Sequence, residues 1–210
     1  MRTIYDYWRK IIADSTRDFM RVVEAGVHDG SSTNNLLVCG AVAGKAVGWI
    51  GLEPDPRSAA VCREMGLPVI EAAASDREGT AELWLSSGFT PGCEGRFHTD
   101  SSSLQTPAEH LKRHPWCQFA SKVTVKTVRI DDLVPPDEHI DLLWADVQGA
   151  QRKLLAGARE VLTRTDYLYI ECHRAPLYEG EPTFAELCLL LADWQVWRQW
   201  EDDVLFRRTK

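Results

Sequence analysis

Residues 22–30 read VVEAGVHDG, and this stretch decides the fold. Its apolar start is typical of a buried strand, and Gly26 and Gly30 then turn the chain into SSTN at 31–34, which can begin a helix. A strand, a glycine-containing turn and a helix N-terminus together commonly hold a nucleotide-like cofactor. A second apolar run ends on Glu53. We therefore expect a cofactor site at the ends of the first two strands.

The composition of the 210 residues suits one globular domain spanning 1–210. A hydrophobic content of 44% provides for a sizeable core, whereas a net charge of −7 argues against a nucleic-acid partner, which needs a basic surface. No apolar run is long enough for a membrane span, and the first residues do not resemble a signal peptide. The six cysteines form no C-x-x-C pair, so we expect free thiols and a cytoplasmic location.

Patterns of strands and helices alternate along most of the chain. An amphipathic leading helix is predicted within 1–20, from residue 4 to residue 20. The predicted strands are 21–25, 47–53, 68–73, 80–85, 123–130, 140–146 and 166–172. The further predicted helices are 34–45, 57–65, 108–113, 148–162 and 183–191. This alternation predicts an open, mostly parallel α/β sheet with helices on both faces, and 194–200 and 204–208 predict a closing antiparallel hairpin.

The segment 86–122 has few periodic elements and carries Gly88, Pro91 and Gly92 near its start. Long connections inside a domain are commonly functional, so we expect a lid that closes over the site and shapes the substrate pocket. Within this segment, Ser102 and Ser103 are predicted to contact the substrate.

Ligands of parallel sheets bind at the carboxyl ends of the strands, so the residues that follow each strand are the candidates. The first turn lacks the dinucleotide pattern G-x-G-x-x-G, because His28 stands where a pyrophosphate needs a glycine. Glu24 would repel a phosphate but can bind an ammonium group. These residues favour S-adenosylmethionine over a nicotinamide dinucleotide, with a purely structural turn as the remaining alternative.

Polar side chains also follow the next two strands. Glu53 can accept hydrogen bonds from both ribose hydroxyls of the cofactor, or be a solvated charge at a strand end. Ser75 and Asp76 can reach the adenine amino group or form a simple turn. The predicted cofactor-binding residues are Glu24, Gly26, Val27, His28, Asp29, Gly30, Glu53, Pro54, Ala74, Ser75, Asp76 and Asp146.

Two strands in the second half of the chain end on titratable residues. Asp146 follows a buried strand, where a charge needs a partner or a function, and His173 is a candidate general base. Either can accept the proton of a substrate hydroxyl, so both are predicted to be catalytic. Besides Ser102 and Ser103, the predicted substrate-binding residues are Gln148, Glu171 and Arg174.

A metal site is not expected. His110 and His114 have a spacing that zinc ligands use on a helix, but no third ligand is evident and Pro115 follows directly. We therefore expect an exposed basic helix face at this point.

Several of these stretches together resemble the FkbM-type S-adenosylmethionine-dependent methyltransferases. The matching pieces are VVEAGVHDG at 22–30, GLEPDP at 51–56, AASD at 73–76 with GT at 79–80, IDLLWADVQGA at 140–150, LLAGA at 154–158 and IE at 170–171. The resemblance implies a class I methyltransferase fold, Rossmann-like with a mostly parallel seven-stranded sheet, and Glu24, Gly26 and Glu53 facing the cofactor S-adenosyl-L-methionine. It also implies methylation of a hydroxyl on a small molecule, such as a sugar, a polyketide or another secondary metabolite.

The chain departs from the family pattern D-x-E-G-x-E directly after Asp146. Gln148 and Gln151 replace both glutamates, so Asp146 keeps its charge without two acidic neighbours. This departure keeps two alternatives in consideration. One is a cofactor-binding relative without catalytic activity, and the other is a nicotinamide-dependent oxidoreductase, which the missing glycine pattern disfavours.

Overall fold

Six strands form the central sheet in the computed structural model, which describes residues 3–89, 91–92 and 98–209. In spatial order these strands are β2 (Ala46–Leu52), β1 (Phe19–Ala25), β6 (Ile140–Ala145), β7 (Thr165–Glu171), β9 (Asp203–Arg208) and β8 (Trp194–Gln199). The first four run parallel, and β9 is antiparallel to both of its neighbours. The predicted α/β class and C-terminal hairpin are confirmed.

Helices and two apolar clusters cover both faces of this sheet. The helices are α1 (Ile4–Asp14), α2 (Ser31–Val42), α3 (Pro56–Glu64), α4 (His110–Arg113), α5 (Gln151–Ala156), α6 (Arg159–Leu162) and α7 (Phe184–Leu190). Leu143 and Ala145 of β6 pack into one cluster, and Leu142 and Trp144 into the other. Because both faces are covered, all six residues of β6 are buried, and the strand is apolar almost throughout.

A second sheet of three strands lies beside the first. Its order is β3 (Ala73–Ala74), β5 (Cys117–Val128) and β4 (Gly79–Gly88). The predicted strand 68–73 joins the central sheet only through one parallel bridge, between Leu52 and Ile70, because the chain then turns away to pair with β5. The expected seven-stranded sheet therefore has six strands within the described residues.

Two predicted helices have different bounds for reasons of tertiary pairing. The leading helix ends at Asp14 rather than at residue 20, because Phe19 and Met20 pair with β2. The helix predicted at 148–162 is divided into α5 and α6 at Gly157. A Cβ atom on Gly157 would lie 1.8 Å from the backbone oxygen of Ser75, so the close approach of these two segments requires glycine there.

The segment predicted as a lid is partly sheet. Its two ends belong to β4 and β5, and Ser103 forms an antiparallel bridge with Trp84, so the connection folds back along β4. This arrangement carries residues 98–104 towards the carboxyl ends of β1, β2 and β6. No helix in the described ranges is long and apolar enough to cross a membrane.

Candidate active site

A cavity of about 250 Å³ opens at the carboxyl ends of β1, β2 and β6. Nine of the twelve predicted cofactor residues line it, namely Glu24, Gly26, Val27, His28, Asp29, Glu53, Pro54, Ala74 and Asp146. Two predicted substrate residues, Ser102 and Gln148, also line it. The strand ends named from the sequence therefore meet at one place, as the parallel sheet requires.

The turn after β1 is shaped by close backbone contacts. Gly26 has a φ of 88°, and a Cβ atom there would lie 1.7 Å from the backbone oxygen of Asp146. Asp146 in turn donates its backbone N–H to the oxygen of Ala25 at 2.9 Å. His28 follows with a φ of 54°, which is unusual for a residue other than glycine. Glycine is thus needed at position 26 to pack the ends of β1 and β6 together.

Glu24 is a buried carboxylate with one oxygen left unpaired. Its Oε2 atom accepts hydrogen bonds from Thr33 Oγ1 at 2.7 Å and from Trp49 Nε1 at 2.8 Å. Its Oε1 atom has no hydrogen-bond partner within the described part of the chain, although the side chain lies on the cavity wall. Burial raises the pKa of the Glu24 carboxyl to about 7. A cationic donor in the cavity would satisfy this oxygen and favour its charged form.

Glu53 is held at the opposite side of the turn by backbone groups. Its Oε2 atom accepts the backbone N–H of His28 and its Oε1 atom that of Asp55, both at 2.7 Å. Each carboxylate oxygen can accept one further hydrogen bond, so the side chain is oriented and still able to bind a ligand hydroxyl. Burial raises the pKa of Glu53 to about 8.

The remaining cavity wall was not predicted from the sequence. It is apolar on the side of the second sheet and polar where residues 98–104 and the start of α2 approach. These residues are Ser31, Ser32, Leu52, Ala72, Ala73, Leu83, Thr99, Asp100, Leu104, Trp144, Val147 and Ala150. The apolar members lie in or beside strands, so their pattern indicated burial and did not reveal contact with a cavity.

Three predicted cofactor residues lie outside the cavity wall. Gly30 precedes α2 with a φ of 77°, and a Cβ atom there would meet the side chain of Leu67 at 2.5 Å. Ser75 donates its hydroxyl to Asp76 at 3.0 Å and has its backbone against Gly157. Asp76 is exposed, and neither Ser75 nor Asp76 belongs to the cavity lining.

Side-chain hydrogen bonds tie residues 101–103 to the edge of the site. The Ser102 hydroxyl donates to Asp55 Oδ2 at 2.7 Å, and Arg57 pairs with the same carboxylate at 2.6 Å. The Ser103 hydroxyl donates to the backbone oxygen of Gln148 at 2.5 Å. Ser103 is therefore a buried anchor outside the cavity lining, whereas Ser102 lies on the wall.

A row of polar side chains extends from the cavity along the ends of β6 and β7. Gln148 Nε2 lies 2.7 Å from Asp146 Oδ1 and 3.0 Å from each oxygen of Glu171. Burial raises the pKa of Asp146, and burial together with the nearby Asp146 charge raises the pKa of Glu171. Glu171 lies outside the cavity lining, so of this pair Asp146 is the carboxylate that faces the cavity.

His173 and Arg174 do not reach the cavity wall. His173 is buried, with Nδ1 at 2.7 Å from Glu181 Oε1 and Nε2 at 3.4 Å from Glu171 Oε1. Arg174 is exposed. The imidazole ring of His173 therefore lies between the carboxylates of Glu171 and Glu181.

The expectation of an exposed basic helix face at residues 110–114 is wrong for His110. This side chain is 2% exposed, and its ring packs against Phe119 and Tyr178 at centroid distances of 5.2 and 5.3 Å. Burial lowers the pKa of His110 to about 4, so the ring is neutral near pH 7. Its neighbours come from β5 and from the loop after β7, which a helical pattern cannot reveal.

Three potential metal ligands meet at the opposite end of the sheet. One ligand atom of each of His139, Asp141 and Asp166 lies within 4.8 Å of the others. Arg17 Nη1 contacts Asp141 at 2.6 Å and Asp166 at 3.0 Å, so a guanidinium already supplies the positive charge between the carboxylates.

The geometry of the site agrees with a comparison to known families. The methyltransferase FkbM domain matches residues 24–198, which include every cavity-lining residue. The chain belongs to the FkbM methyltransferase family. The resemblance found in the sequence is confirmed, and the protein is a methyltransferase.

Two known proteins are similar to this FkbM methyltransferase, one in sequence and one in structure. It is 36% identical over 200 residues to the 2-O-methyltransferase NoeI of Sinorhizobium fredii (strain NBRC 101917 / NGR234), covering 90% of this chain and 79% of the relative. The crystal structure of methyltransferase FkbM from Methylobacillus flagellatus KT has a TM-score of 0.56 at 15% identity and covers 97% of this chain. The chain spans 50% of that structure, and the likeness shows a shared fold.

Proposed function

We propose that this methyltransferase transfers a methyl group from S-adenosyl-L-methionine to a hydroxyl oxygen of a small molecule. The observation that carries the proposal is that Glu24, a residue of the cavity wall, has a buried Oε1 atom without a hydrogen-bond partner within the described residues. An unpaired buried carboxylate oxygen is costly unless a ligand supplies a donor, and the ammonium group of this cofactor is such a donor. The family membership and the 2-O-methyltransferase relative support the same reaction class.

The residues of the cavity fit the parts of this cofactor. Glu24 would bind the ammonium group, and Glu53, held by backbone N–H groups, would accept from the ribose hydroxyls. The apolar wall formed by Ala72, Leu83 and Leu104 suits the adenine ring. When bound, the cofactor supplies an electrophilic methyl group on a positively charged sulfur.

Asp146 is the residue best placed to accept the proton of the substrate hydroxyl. It lines the cavity, its Oδ1 atom is held by Gln148, and its Oδ2 atom has no hydrogen-bond partner within the described residues. His173, the other candidate base, is bracketed by Glu171 and Glu181 and does not line the cavity. The protein would therefore contribute mainly by positioning the hydroxyl beside Asp146 and removing its proton.

The substrate is proposed to be a hydroxylated small molecule, such as a sugar, a polyketide or another secondary metabolite. The cavity side that carries Thr99, Asp100, Ser102 and Gln148 offers hydroxyl, carboxylate and amide groups that suit a polyhydroxylated ligand. The relative with 36% identity is a 2-O-methyltransferase, which supports an oxygen acceptor.

A nicotinamide dinucleotide fits the cavity poorly. Three carboxylates, those of Glu24, Asp29 and Asp146, lie on the wall beside the first turn, where a pyrophosphate would be repelled. Lysine and arginine are absent from the cavity lining within the described residues. This charge distribution favours a cationic adenosyl ligand.

Two measurements test the proposed function. Calorimetry should detect saturable binding of S-adenosylhomocysteine and much weaker binding of NAD. Release of S-adenosylhomocysteine should then be measured with a panel of glycosides, polyols and phenols. Binding of NAD in preference to S-adenosylhomocysteine would contradict the cofactor, whereas cofactor binding without turnover across the panel would indicate a non-catalytic relative.

A further inference from the structure

Gln148 joins four segments of the site. Its backbone oxygen accepts from the Ser103 hydroxyl, and its Oε1 atom lies 2.8 Å from the Tyr178 hydroxyl. Its Nε2 atom lies between the carboxylates of Asp146 and Glu171. The residue has a φ of 46°, a left-handed conformation that is uncommon for glutamine. The backbone is strained, and both polar atoms of the side chain form hydrogen bonds. This combination points to a functional role for Gln148.

The contacts determine which way the amide group faces. An amide oxygen turned towards Asp146 and Glu171 would meet carboxylate oxygens at 2.7 and 3.0 Å without a hydrogen between them. The Nε2 atom, which carries two hydrogens, satisfies both carboxylates, and the Tyr178 hydroxyl donates to the remaining oxygen. A glutamate at this position, as the family pattern has it, would bring three carboxyl groups together.

We propose that Gln148 is a positioning residue, which holds Asp146 and Glu171 side by side through its amide and so replaces a bound cation or a shared proton. The proposal rests on the proposed function, because Asp146 is the acceptor of the substrate proton. The amide fixes Asp146 Oδ1, and Oδ2 of this cavity-lining residue has no hydrogen-bond partner within the described part of the chain. Glu171 lies on the other side of the amide, and its Oε1 atom is 3.4 Å from His173 Nε2.

Other titratable groups also lie near Asp146 and Glu171. His28 and Asp100 approach from the cavity side, and His173 from the end of β7. Glu171 is surrounded by Asp203 at the start of β9 and by Glu181 before α7. Three of these five neighbours are acidic, so the amide donor of Gln148 lies among acceptors and a further negative charge there would be strongly unfavourable.

The test replaces the amide by a carboxyl group of the same shape, in Gln148→Glu. A third carboxyl group raises the pKa of the group that must be ionised, so the acidic limb of the methyl-transfer profile should move up by at least about one pH unit. At pH 7 the turnover should then fall about tenfold or more. The substrate is the panel member with the highest wild-type turnover.

Gln151→Glu is the matched control. Gln151 is fully buried and lies outside the cavity lining, and its only side-chain hydrogen bond within the described residues runs from Nε2 to the backbone oxygen of Glu171, at 3.2 Å. This variant also buries a new carboxyl group, yet it should keep the acidic limb at the wild-type position. Tyr178→Phe removes the hydroxyl that contacts Gln148 Oε1 and the Ser101 backbone oxygen, and it adds no charge, so it should shift the limb in the same direction by a smaller amount. An equal shift in both glutamate variants, or no shift in Gln148→Glu and Tyr178→Phe, would overturn the proposal.

A second readout does not depend on activity. Thermal unfolding with and without MgCl₂ should show no stabilisation of the wild type and a clear rise of Tm in Gln148→Glu, because three carboxylates then form a cation site. Stabilisation of the wild type by Mg²⁺ would overturn the proposal, since the amide would not be replacing a cation. If the wild type methylates no panel member, the proposed function fails, and this readout alone decides the role of Gln148.

Discussion

The two ends of β6 each carry an aspartate, and the two aspartates differ in their partners. At the amino end, Asp141 pairs with Arg17 at 2.6 Å and accepts the backbone N–H of Arg21 at 2.7 Å. At the carboxyl end, Asp146 is held by Gln148 and forms no ion pair with lysine or arginine within the described residues. The first aspartate has an internal counter-charge, whereas the second has none within the described residues and lines the cavity.

The same contrast extends to the neighbouring carboxylates. Asp166, beside Asp141, is also bound by Arg17, at 3.0 Å. At the other end Glu24 and Glu53 are buried with pKa values raised to about 7 and 8. Carboxylates buried without counter-charges weaken the free protein, and a ligand that brings donors recovers this free energy on binding. Stability and activity should therefore depend on opposite ends of one strand.

The largest effect is expected from Asp146→Asn. Asparagine keeps the shape and the Oδ1 acceptor but cannot take up a proton, so methyl transfer should fall by about 10²- to 10⁴-fold. The free energy of unfolding should be unchanged or higher, because a buried group with a raised pKa has been made neutral. Steady-state turnover and urea denaturation check the two halves of this prediction. Near-normal turnover would remove Asp146 as the proton acceptor.

The second effect concerns the unpaired oxygen of Glu24. In Glu24→Gln the affinity for S-adenosylhomocysteine should fall about 10- to 100-fold, as for the loss of a hydrogen bond to a charged group. Binding to the wild type should strengthen as pH rises to about 7, since the carboxyl loses its proton there, and this dependence should disappear in the variant. Calorimetry across this pH range provides the measurement, with Glu53→Gln as the control that keeps the Glu24 step.

The same titration changes the stability of the free protein. The folded pKa of Glu24, about 7, lies above its ordinary value of 4.5, so the folded state binds the extra proton between these values. The corresponding stability is fully present below pH 4.5 and is lost as pH rises through 7. Glu24→Gln should lack this loss, which distinguishes a change in protonation from general damage to the fold.

The sequence allowed the cavity end of β6 to be predicted better than the end that carries Asp141. Glu24 lies near the end of an apolar strand, and Glu53 and Asp146 each follow one. A parallel sheet brings such ends together, so local pattern and topology were sufficient. The contact between Arg17 and Asp141 joins residues 124 positions apart, and no local pattern encodes it. The same reason explains why Ser102 and Ser103 were predicted to contact the substrate but not to bond to Asp55 and Gln148.

Errors in the predicted strands and helices also arose because distant segments of the chain compete for the same contacts. Residues 68–73 have the composition of a strand, but β5 offers pairing at Ala73 that the central sheet does not. The apolar pattern at 148–162 is helical throughout, yet Gly157 must pass close to Ser75. Propensity describes each segment alone, and tertiary contacts decide between segments that compete for the same neighbours.

The smallest expected effect comes from Asp141→Asn, and it should appear in stability rather than in turnover. The side chain of Asp141 is 3% exposed, whereas that of Arg17 is 44% exposed, so solvent screens much of the ion pair. The cost is then mainly that of the buried hydrogen bonds, because an asparagine cannot accept from both Arg17 and the Arg21 backbone. A loss of about 1–3 kcal/mol in the free energy of unfolding is expected. Urea denaturation at pH 7 measures it, and turnover below the unfolding transition should stay within about twofold of the wild type. If Asp141→Asn instead abolished turnover in a protein that remains folded, the two ends of β6 would not be functionally separate.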